Sequence, residues 1–295
     1  MNRIRNPEPA ANPELRNLRA IRPLAALGAL LLALAAGATE LPHSTACTAP
    51  PLPEQNGGRL VIIIDDMGNN LRRGLSALEL PGRLTYAVIP FTPFATTLAD
   101  AAVAGGKEVM LHAPMSTVED MPLERGALTS NLSREVFRQA LRDALSSLPQ
   151  ARGLNNHMGS ELTQQRRQMA WLMQELRTHD LYFVDSRTSD KTVAATVAAE
   201  FNVPHLSRQV FLDNERTLEA IDARFREVLA LIDETGFAVA IGHPYPETIA
   251  YLRAALPLLA QTGIELAYVS DMVARIQPAS ACPQTPGTNA DAVAG

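Results

Sequence analysis

The chain has 295 residues, of which 46% are hydrophobic and 19% charged, a composition typical of globular proteins and not of disordered ones. The formal net charge is −5, whereas proteins that bind nucleic acid are usually basic. Aromatic residues make up only 5% of the chain, which argues against a stacking platform for single strands, so we predict no nucleic-acid partner.

Residues 1–39 have the pattern of a targeting segment. Several arginines precede the apolar run LAALGALLLALAAGAT, which begins at Leu24. A membrane-spanning helix needs about 20 apolar residues, so this run is short for an anchor and favours a signal peptide cleaved near Ala36-Gly37-Ala38. The alternative is an uncleaved anchor that attaches the protein to a membrane through residues 24–39. Both interpretations predict an exported protein, periplasmic or extracellular.

Pro-rich and Ala-rich flanks enclose the part of the chain that is patterned as a domain. Residues 40–58 are predicted to be a linker, residues 59–276 a single domain, and residues 277–295 a disordered tail. The two cysteines, Cys47 and Cys282, lie in these flanks. An oxidising compartment would permit a disulfide between them, and neither lies beside a structured motif that would suggest catalysis.

Inside the domain, short apolar runs alternate with amphipathic stretches. The predicted strands are Arg59–Ile64, Leu84–Ile89, Glu108–Leu111, Gly153–Asn155, Leu181–Val184, His205–Ser207, Phe237–Ile241 and Glu265–Val269. The predicted helices are Asn70–Glu79, Pro93–Ala104, Ser133–Ser147, Gln164–His179, Thr192–Phe201, Leu218–Thr235 and Glu247–Gln261. This alternation predicts an irregular (β/α) barrel of seven or eight parallel strands. An open doubly wound sheet is the alternative, but no GxGxxG motif follows the first strand.

Polar residues with catalytic or metal-binding chemistry follow most of the apolar runs. The runs VIII, VML, GLNN, YFV, AVAIG and AYVS are followed by Asp65-Asp66, His112, His157, Asp185, His243 and Asp271, respectively. In a β/α barrel the carboxyl ends of the strands meet on one face, where active sites form. One carboxylate and two imidazoles there would provide the three-ligand open site of catalytic zinc.

Each of these residues also has a structural interpretation. Asp65-Asp66 could cap the helix that follows, and His112 alone could be a hydrogen-bonded core histidine. His157 lies in the polar segment Asn155–Ser160, which is costly to order without a function. Trp171 is the only tryptophan, and because it lies in a predicted helix we expect it in the core rather than under a sugar.

Six segments in chain order resemble the divergent polysaccharide deacetylase family, a branch of the carbohydrate esterase barrels. They are IIIDDMGNN, MLHAPM, LNNHMGS, FVDSRTS, VFLDN and AIGHPYPETI, and together they extend over nearly the whole domain. The resemblance implies an irregular β/α barrel, a divalent metal with zinc as the expected ion, and N-deacetylation. The implied substrate is an envelope polysaccharide or a peptidoglycan-type glycan.

The resemblance also implies roles for individual residues. In the wider deacetylase pattern the first Asp of an Asp-Asp pair is the general base and the second binds metal, which corresponds to Asp65 and Asp66. The wider pattern continues with an HxxxH pair, but here Ser116 stands where the second histidine is expected after His112. We expect His157 to replace it as a ligand. His243 matches the late histidine that acts as the catalytic acid.

Three hypotheses follow from these observations. The first is a metal-dependent deacetylase of envelope glycans. The second is a catalytically silent member that uses the same cleft to bind glycan or a protein partner, which the altered histidine pair favours. The third is a glycosidase with two carboxylates about 5–10 Å apart, for which Asp185 or Asp271 would have to serve as the second acid.

Overall fold

The computed structural model describes residues 57–276. The predicted targeting segment, nearly all of the linker, the tail, Cys47 and Cys282 lie outside the described residues. Within the described range there are nine strands and eight α-helices, and a short 3-10 helix at Leu162–Gln164. The strands are β1 Gly58–Met67, β2 Thr85–Val88, β3 Glu108–Met115, β4 Gly153–Met158, β5 Tyr182–Asp185, β6 His205–Ser207, β7 Val210–Phe211, β8 Phe237–Gly242 and β9 Ile264–Leu266. The helices are α1 Leu71–Leu78, α2 Ala95–Ala104, α3 Arg134–Ser147, α4 Arg166–Thr178, α5 Ala194–Glu200, α6 Leu218–Thr235, α7 Pro246–Leu259 and α8 Val269–Ile276.

All of the strand pairs are parallel. Neighbouring strands follow the order β6-β5-β4-β3-β2-β1-β8-β7, and β9 pairs with the first residues of β1. The helices α1 to α7 form crossovers between successive strands, as parallel pairing requires. The predicted barrel of parallel strands is therefore confirmed.

The sheet curls until its two edge strands come close together. Only Arg208 and Gln209 separate β6 from β7. The backbone N–H of Arg208 donates to the Asp185 carbonyl of β5 at 2.9 Å. The N–H of Gln209 donates to the Val239 carbonyl of β8, also at 2.9 Å. Two adjacent residues thus bond to strands near opposite edges of the sheet. The sheet is therefore curled, and the ends of most strands lie around one centre.

Two apolar cores lie on the two faces of the sheet. Successive strand residues point to opposite faces, so Ile62 and Ile64 join the helices in an outer core, while Val61 and Ile63 belong to an inner core. The buried members of the inner core are Val61, Ile63, Ala87, Met110, Tyr182, Val184, Leu206, Val239, Ile241, Ala267, Val269, Met272 and Val273. Helix α8 contributes the last three of these residues.

Local sequence signals explain where the helices begin. Ser133 is the N-cap of α3, and its side chain accepts from the Val136 N–H at 3.3 Å. Trp171 in α4 packs against the outer core, with its ring 5.7 Å from that of Phe137, as expected from the sequence. Within residues 57–276, no helix combines the length and hydropathy that crossing a membrane requires.

The structure corrects several predicted boundaries. β1, β3 and β4 extend further than predicted, so that Asp65, His112 and His157 lie inside their strands instead of following them. β7 and α8 were not predicted as elements. β7 has only two residues, too few to show a periodicity, and Val269, which begins α8, was assigned to a strand.

Candidate active site

The site begins where inward-facing positions change from apolar to polar. In β1 the inner-core residue Ile63 is followed two positions later by Asp65. In β8 the inner-core residue Ile241 is followed two positions later by His243, directly after the strand ends. Because side chains alternate along a strand, both polar groups continue the inward-facing row. The polar centre is therefore built on the same strands that carry the inner core.

The next two strands follow the same rule. In β3, Met110 lies in the inner core and His112 follows it two positions later. In β4, Asn155 is the register partner of His112, and His157 is two positions further on. Parallel pairing of β3 with β4 therefore brings both imidazoles to one side of the sheet.

Asp66 reaches the site because β1 is irregular at this position. Ile64 and Met67 both face the outer core. Two residues therefore lie between these outward-facing positions, whereas a regular strand has one. The pairing with β2 shifts register between Ile64 and Met67, and Asp66 has a left-handed φ of 55°. Asp66 therefore points toward the imidazoles next to Asp65. The alternative role as a helix cap belongs instead to Asn70.

Three ligand-type atoms from Asp66, His112 and His157 form a small triangle. Asp66 Oδ1 lies 3.3 Å from His112 Nε2 and 3.0 Å from His157 Nδ1. The two imidazole nitrogens are 3.1 Å apart. The structure therefore brings together the three residues that were expected to bind metal.

The triangle fits a tetrahedral metal ion. Ligand bonds of about 2.0–2.1 Å set the atoms of a tetrahedral zinc site about 3.3 Å apart, close to the edges of this triangle. Among the described residues, Asp66 Oδ1 is a buried oxygen that makes no well-aligned hydrogen bond, although two imidazole nitrogens face it. Buried polar atoms are rarely left unpaired, so a ligand at the centre of the triangle would explain this one.

Asn155 connects His112 with Asp65 beneath the triangle. Its side-chain oxygen lies 2.7 Å from His112 Nδ1, and its amide nitrogen donates to Asp65 Oδ1 at 2.9 Å. An amide oxygen only accepts, so His112 carries a proton on Nδ1 and directs Nε2 toward Asp66. Asp65 Oδ2 lies 3.6 Å from the same Nε2. Asn155 was part of the polar segment noted in the sequence, but no role was predicted for it.

Burial and neighbouring charges shift the pKa values of this cluster. Burial raises the pKa of Asp65, and the nearby His112 only partly opposes this effect. For Asp66, burial also raises the pKa, but contacts with His112 and His157 outweigh it and hold the pKa below its usual range. For His112, burial lowers the pKa, but Asp65 and Asp66 outweigh it and raise the pKa to about 9.

His243 is held by a carboxylate that sequence reasoning missed. His243 Nδ1 lies 2.9 Å from Asp213 Oδ1, and the His243 backbone N–H donates to Asp213 Oδ2 at 2.7 Å. The Thr248 hydroxyl donates to the same Oδ2 at 2.6 Å. His243 Nε2 is thereby directed toward Asp66 Oδ2, 3.7 Å away. Asp213 lies in the VFLDN segment, two residues after Phe211 of β7. Because β7 has only two residues, the inward position of Asp213 could not be predicted from the sequence pattern.

Aromatic rings enclose His243. The Phe211 and Tyr245 rings each lie 5.1 Å from the imidazole, and Tyr245 is stacked on it. The Arg216 guanidinium covers the Tyr245 ring at 3.7 Å. Burial lowers the pKa of His243, but the contact with Asp213 and the charge of Asp66 outweigh it, so the pKa is raised above its usual value.

A cleft of about 190 Å³ opens beside these residues. Its lining residues are Asp66, Met67, Asn69, Asn70, Arg73, Gly74, Ile89, Glu124, His157, Pro244 and Tyr245. Asp65 is 3% exposed and lies below the cleft, whereas the side chain of Asp66 is 31% exposed and borders it. The cleft therefore borders Asp66 and His157 of the triangle.

The two further carboxylates considered for a glycosidase do not support that hypothesis. Asp185 is fully buried, and its oxygens accept from the Arg187 N–H and the Thr192 hydroxyl. Asp271 does not follow a strand, as the sequence suggested, but lies in α8 and pairs with Arg83 at 2.6 Å. Arg83 precedes β2, so Asp271 belongs to the opposite end of the strands from the histidines.

The fold is a curled barrel of parallel strands that carries a cluster of carboxylates and imidazoles toward the carboxyl ends of its strands. The sequence matches the model of the divergent polysaccharide deacetylase family over residues 62–273, and the chain belongs to this family. The resemblance seen in the six sequence segments is confirmed.

The proteins to which the chain is similar are described as uncharacterized. Over 196 residues the chain is 36% identical to the uncharacterized protein YibQ of Escherichia coli K12, covering 66% of this chain and 61% of that protein. It is 35% identical to an uncharacterized protein of Haemophilus influenzae, covering 67% and 71% of the two chains. Among solved structures, the uncharacterized protein ATU2773 from Agrobacterium tumefaciens C58 is similar, with a TM-score of 0.71 and 20% identity over 76% of this chain and 92% of that one. That similarity supports the fold.

Proposed function

We propose that this protein is a metal-dependent deacetylase that hydrolyses the N-acetyl group of an envelope polysaccharide. The observation that carries the proposal is the convergence of Asp66, His112 and His157, with Asp65 beneath them and His243 beside them. Membership of the divergent polysaccharide deacetylase family supports the same reaction. In it, a water oxygen bonds to the acetyl carbon, the C–N bond breaks, and acetate and an amine are released.

Asp66, His112 and His157 would hold the metal. Two imidazole nitrogens and one carboxylate oxygen are a donor set that zinc accepts, with a further position left for water. A divalent metal bound there supplies a Lewis acid and lowers the pKa of a bound water to about 7. Asn155 contributes by holding His112 in the tautomer that offers Nε2 to the site.

Asp65 is proposed as the general base. Its Oδ2 is 3.6 Å from His112 Nε2, so it borders the space in which the attacking water would lie. Burial raises the pKa of its carboxyl group, which makes the carboxylate a stronger base near neutral pH. Asn155 fixes the other oxygen through a 2.9 Å hydrogen bond, so Oδ2 is the oxygen free to accept the proton.

His243 is proposed as the general acid. Asp213 accepts a hydrogen bond from Nδ1–H and raises the pKa of the imidazole. Nε2 therefore also carries a proton over a wider pH range. Nε2 faces the Asp66 side of the cleft and can donate this proton to the departing amine nitrogen. The surroundings of Asp65 thus suit a proton acceptor, and those of His243 suit a proton donor, as a paired base and acid require.

The second candidate is a catalytically silent barrel that binds glycan. Ser116 supports it, because this residue stands where the wider deacetylase pattern has a metal-binding histidine. Its hydroxyl donates instead to Glu161 and takes no part in the triangle. Glycan binding without hydrolysis would follow if His157 does not compensate for the missing ligand.

Acetate release separates the two candidates. Zinc-loaded protein is incubated with N-acetylated chitooligosaccharides and with purified peptidoglycan, and acetate is measured enzymatically. We expect acetate from at least one of these glycans with the unaltered protein and none above background with Asp65→Asn. Glycan binding without acetate release from either substrate would favour the silent barrel and contradict the proposed enzyme.

We also propose that the protein works outside the cytoplasm, because residues 1–39 have the pattern of a signal peptide or anchor. N-terminal sequencing of the protein from the envelope fraction tests this proposal. Recovery only from the cytoplasm, with Met1 intact, would contradict it.

A further inference from the structure

Glu124 contacts the far side of the His157 imidazole. Its Oε1 lies 3.3 Å from His157 Nε2, while His157 Nδ1 faces Asp66 at 3.0 Å. The second oxygen, Oε2, is buried and has no hydrogen-bond partner among the described residues. Glu124 therefore places a carboxylate next to the ring nitrogen that does not point into the triangle.

The loop that carries Glu124 is anchored to the ends of β3 and β4. The Leu128 N–H donates to the Pro114 carbonyl at 2.8 Å, and the Ser116 N–H donates to the Leu128 carbonyl at 3.1 Å. On the other side, the Val118 N–H donates to the Ser160 hydroxyl at 3.1 Å. These bonds hold the 116–128 segment over the histidines, so the position of Glu124 is defined by the fold.

We propose that Glu124 is a positioning residue that orients His157. A neutral imidazole carries one proton, and the nitrogen without it offers a lone pair. A carboxylate beside Nε2 favours a proton on Nε2, and Asp66, 3.0 Å from Nδ1, competes for that proton. A cation held by the Asp66 oxygen removes this competition, so Glu124 then keeps the proton on Nε2 and leaves the Nδ1 lone pair directed into the triangle. Carboxylates commonly hold metal-binding histidines in this way, on the nitrogen opposite the metal.

This role is specific to the arrangement in this chain. His157 comes from β4 instead of the helical turn that would contain the second histidine of an HxxxH pair, and Ser116 occupies that other position. A histidine presented from a strand through Nδ1 needs a partner on Nε2, and Glu124 is the carboxylate in reach. The orientation of the ring stands on these contacts alone, whereas its consequence for metal binding rests on the proposed function.

The test compares Glu124→Ala and Glu124→Gln with a matched control. Glu119→Ala removes another carboxylate of the same loop, one whose Oε2 accepts from the Ser160 hydroxyl and does not contact the histidines. The imidazole ¹⁵N and ring N–H resonances of His157 are recorded in metal-free and in zinc-loaded protein. Zinc affinity is measured by competition with a chromophoric chelator, and circular dichroism establishes that each variant is folded.

We expect the His157 Nε2–H resonance to be protected from exchange in the unaltered protein and in Glu119→Ala, and to be lost in Glu124→Ala. Zinc affinity should fall about 10- to 100-fold in Glu124→Ala and less in Glu124→Gln, because an amide oxygen still accepts the proton. A His157 resonance that is the same in Glu124→Ala and the unaltered protein would overturn the proposal. If the unaltered protein binds no zinc, the metal-dependent function fails, and the NMR comparison alone decides the role of Glu124.

Discussion

Replacing Asp213 with Asn tests how the protein keeps a proton on His243. Asp213 accepts three hydrogen bonds, two from His243 and one from Thr248. An asparagine has only one accepting oxygen, so at least one of the bonds from the His243 backbone N–H and from Nδ1 must be lost or reversed. The change also removes the negative charge that raises the pKa of His243. We therefore expect a less stable protein and a weaker general acid.

The magnitude follows from the contacts. A hydrogen bond to a charged group contributes about 1.5–3 kcal/mol, and its loss lowers the pKa of His243 from its raised value. The lost or mismatched hydrogen bond costs a further 1–3 kcal/mol or so of stability. The sign is that of a group whose folded pKa is raised. The stabilisation is present below the unfolded pKa of about 6.5 and is lost as the pH rises through the folded value.

The assay is the pH dependence of acetate release with zinc-loaded protein, together with chemical denaturation of the metal-free protein. Asp213→Asn should move the alkaline limb of the rate profile to lower pH. Asp222→Asn is the matched control, because Asp222 also accepts two side-chain hydrogen bonds, from Arg226 and Tyr251, but lies on α6 away from the site. An unchanged alkaline limb in folded Asp213→Asn would refute the role given to the Asp213–His243 pair.

Three further predictions concern the neighbouring residues. Asp65→Asn should retain zinc but reduce hydrolysis by about 100-fold or more, since it removes a base and not a ligand; loss of zinc from this variant would contradict the assignment. Apparent zinc affinity should rise about tenfold per pH unit between pH 6 and 8, because zinc must displace a proton from His112. Burial lowers the pKa of His112, but Asp65 and Asp66 outweigh it and raise the pKa to about 9. An affinity that does not change with pH in chelator competition would contradict this. Asn155→Ala should weaken zinc binding about 10- to 100-fold, whereas Asn131→Ala, which alters an exposed asparagine in a loop, should leave it unchanged.

Much of the fold could be predicted because it depends on local patterns. The alternation of apolar runs and amphipathic stretches identified seven helices, and α6 agrees with its predicted bounds, Leu218–Thr235. Parallel strands then place the ends of successive strands on one side without knowledge of any contact. By contrast, two-residue β7 is too short to show a pattern, and its pairing with β8 defines it.

The site was predictable in its residue types and not in its geometry. His112 and His157 were expected together because both follow apolar runs. The orientation of Asp66 depends on its left-handed backbone conformation and on a register shift in β1. Neither feature can be predicted from the periodicity of the sequence. Asp213 and Glu124 contact histidines that are distant in the chain, so these contacts appear only once the strands and loops are assembled.

Zinc binding by His157→Ala tests the central claim most directly, because His157 is the ligand that departs from the wider deacetylase pattern. His179→Ala is the matched control, since His179 lies at the end of α4 beside Glu175 and takes no part in the triangle. Zinc content is measured by mass spectrometry of the metal and affinity by chelator competition. We expect one zinc per chain in the unaltered protein and in His179→Ala, and an affinity lowered by more than about 100-fold in His157→Ala, since losing a group that only orients a ligand already costs about 10- to 100-fold. His157→Ala protein that binds zinc as tightly as the unaltered protein would contradict the site.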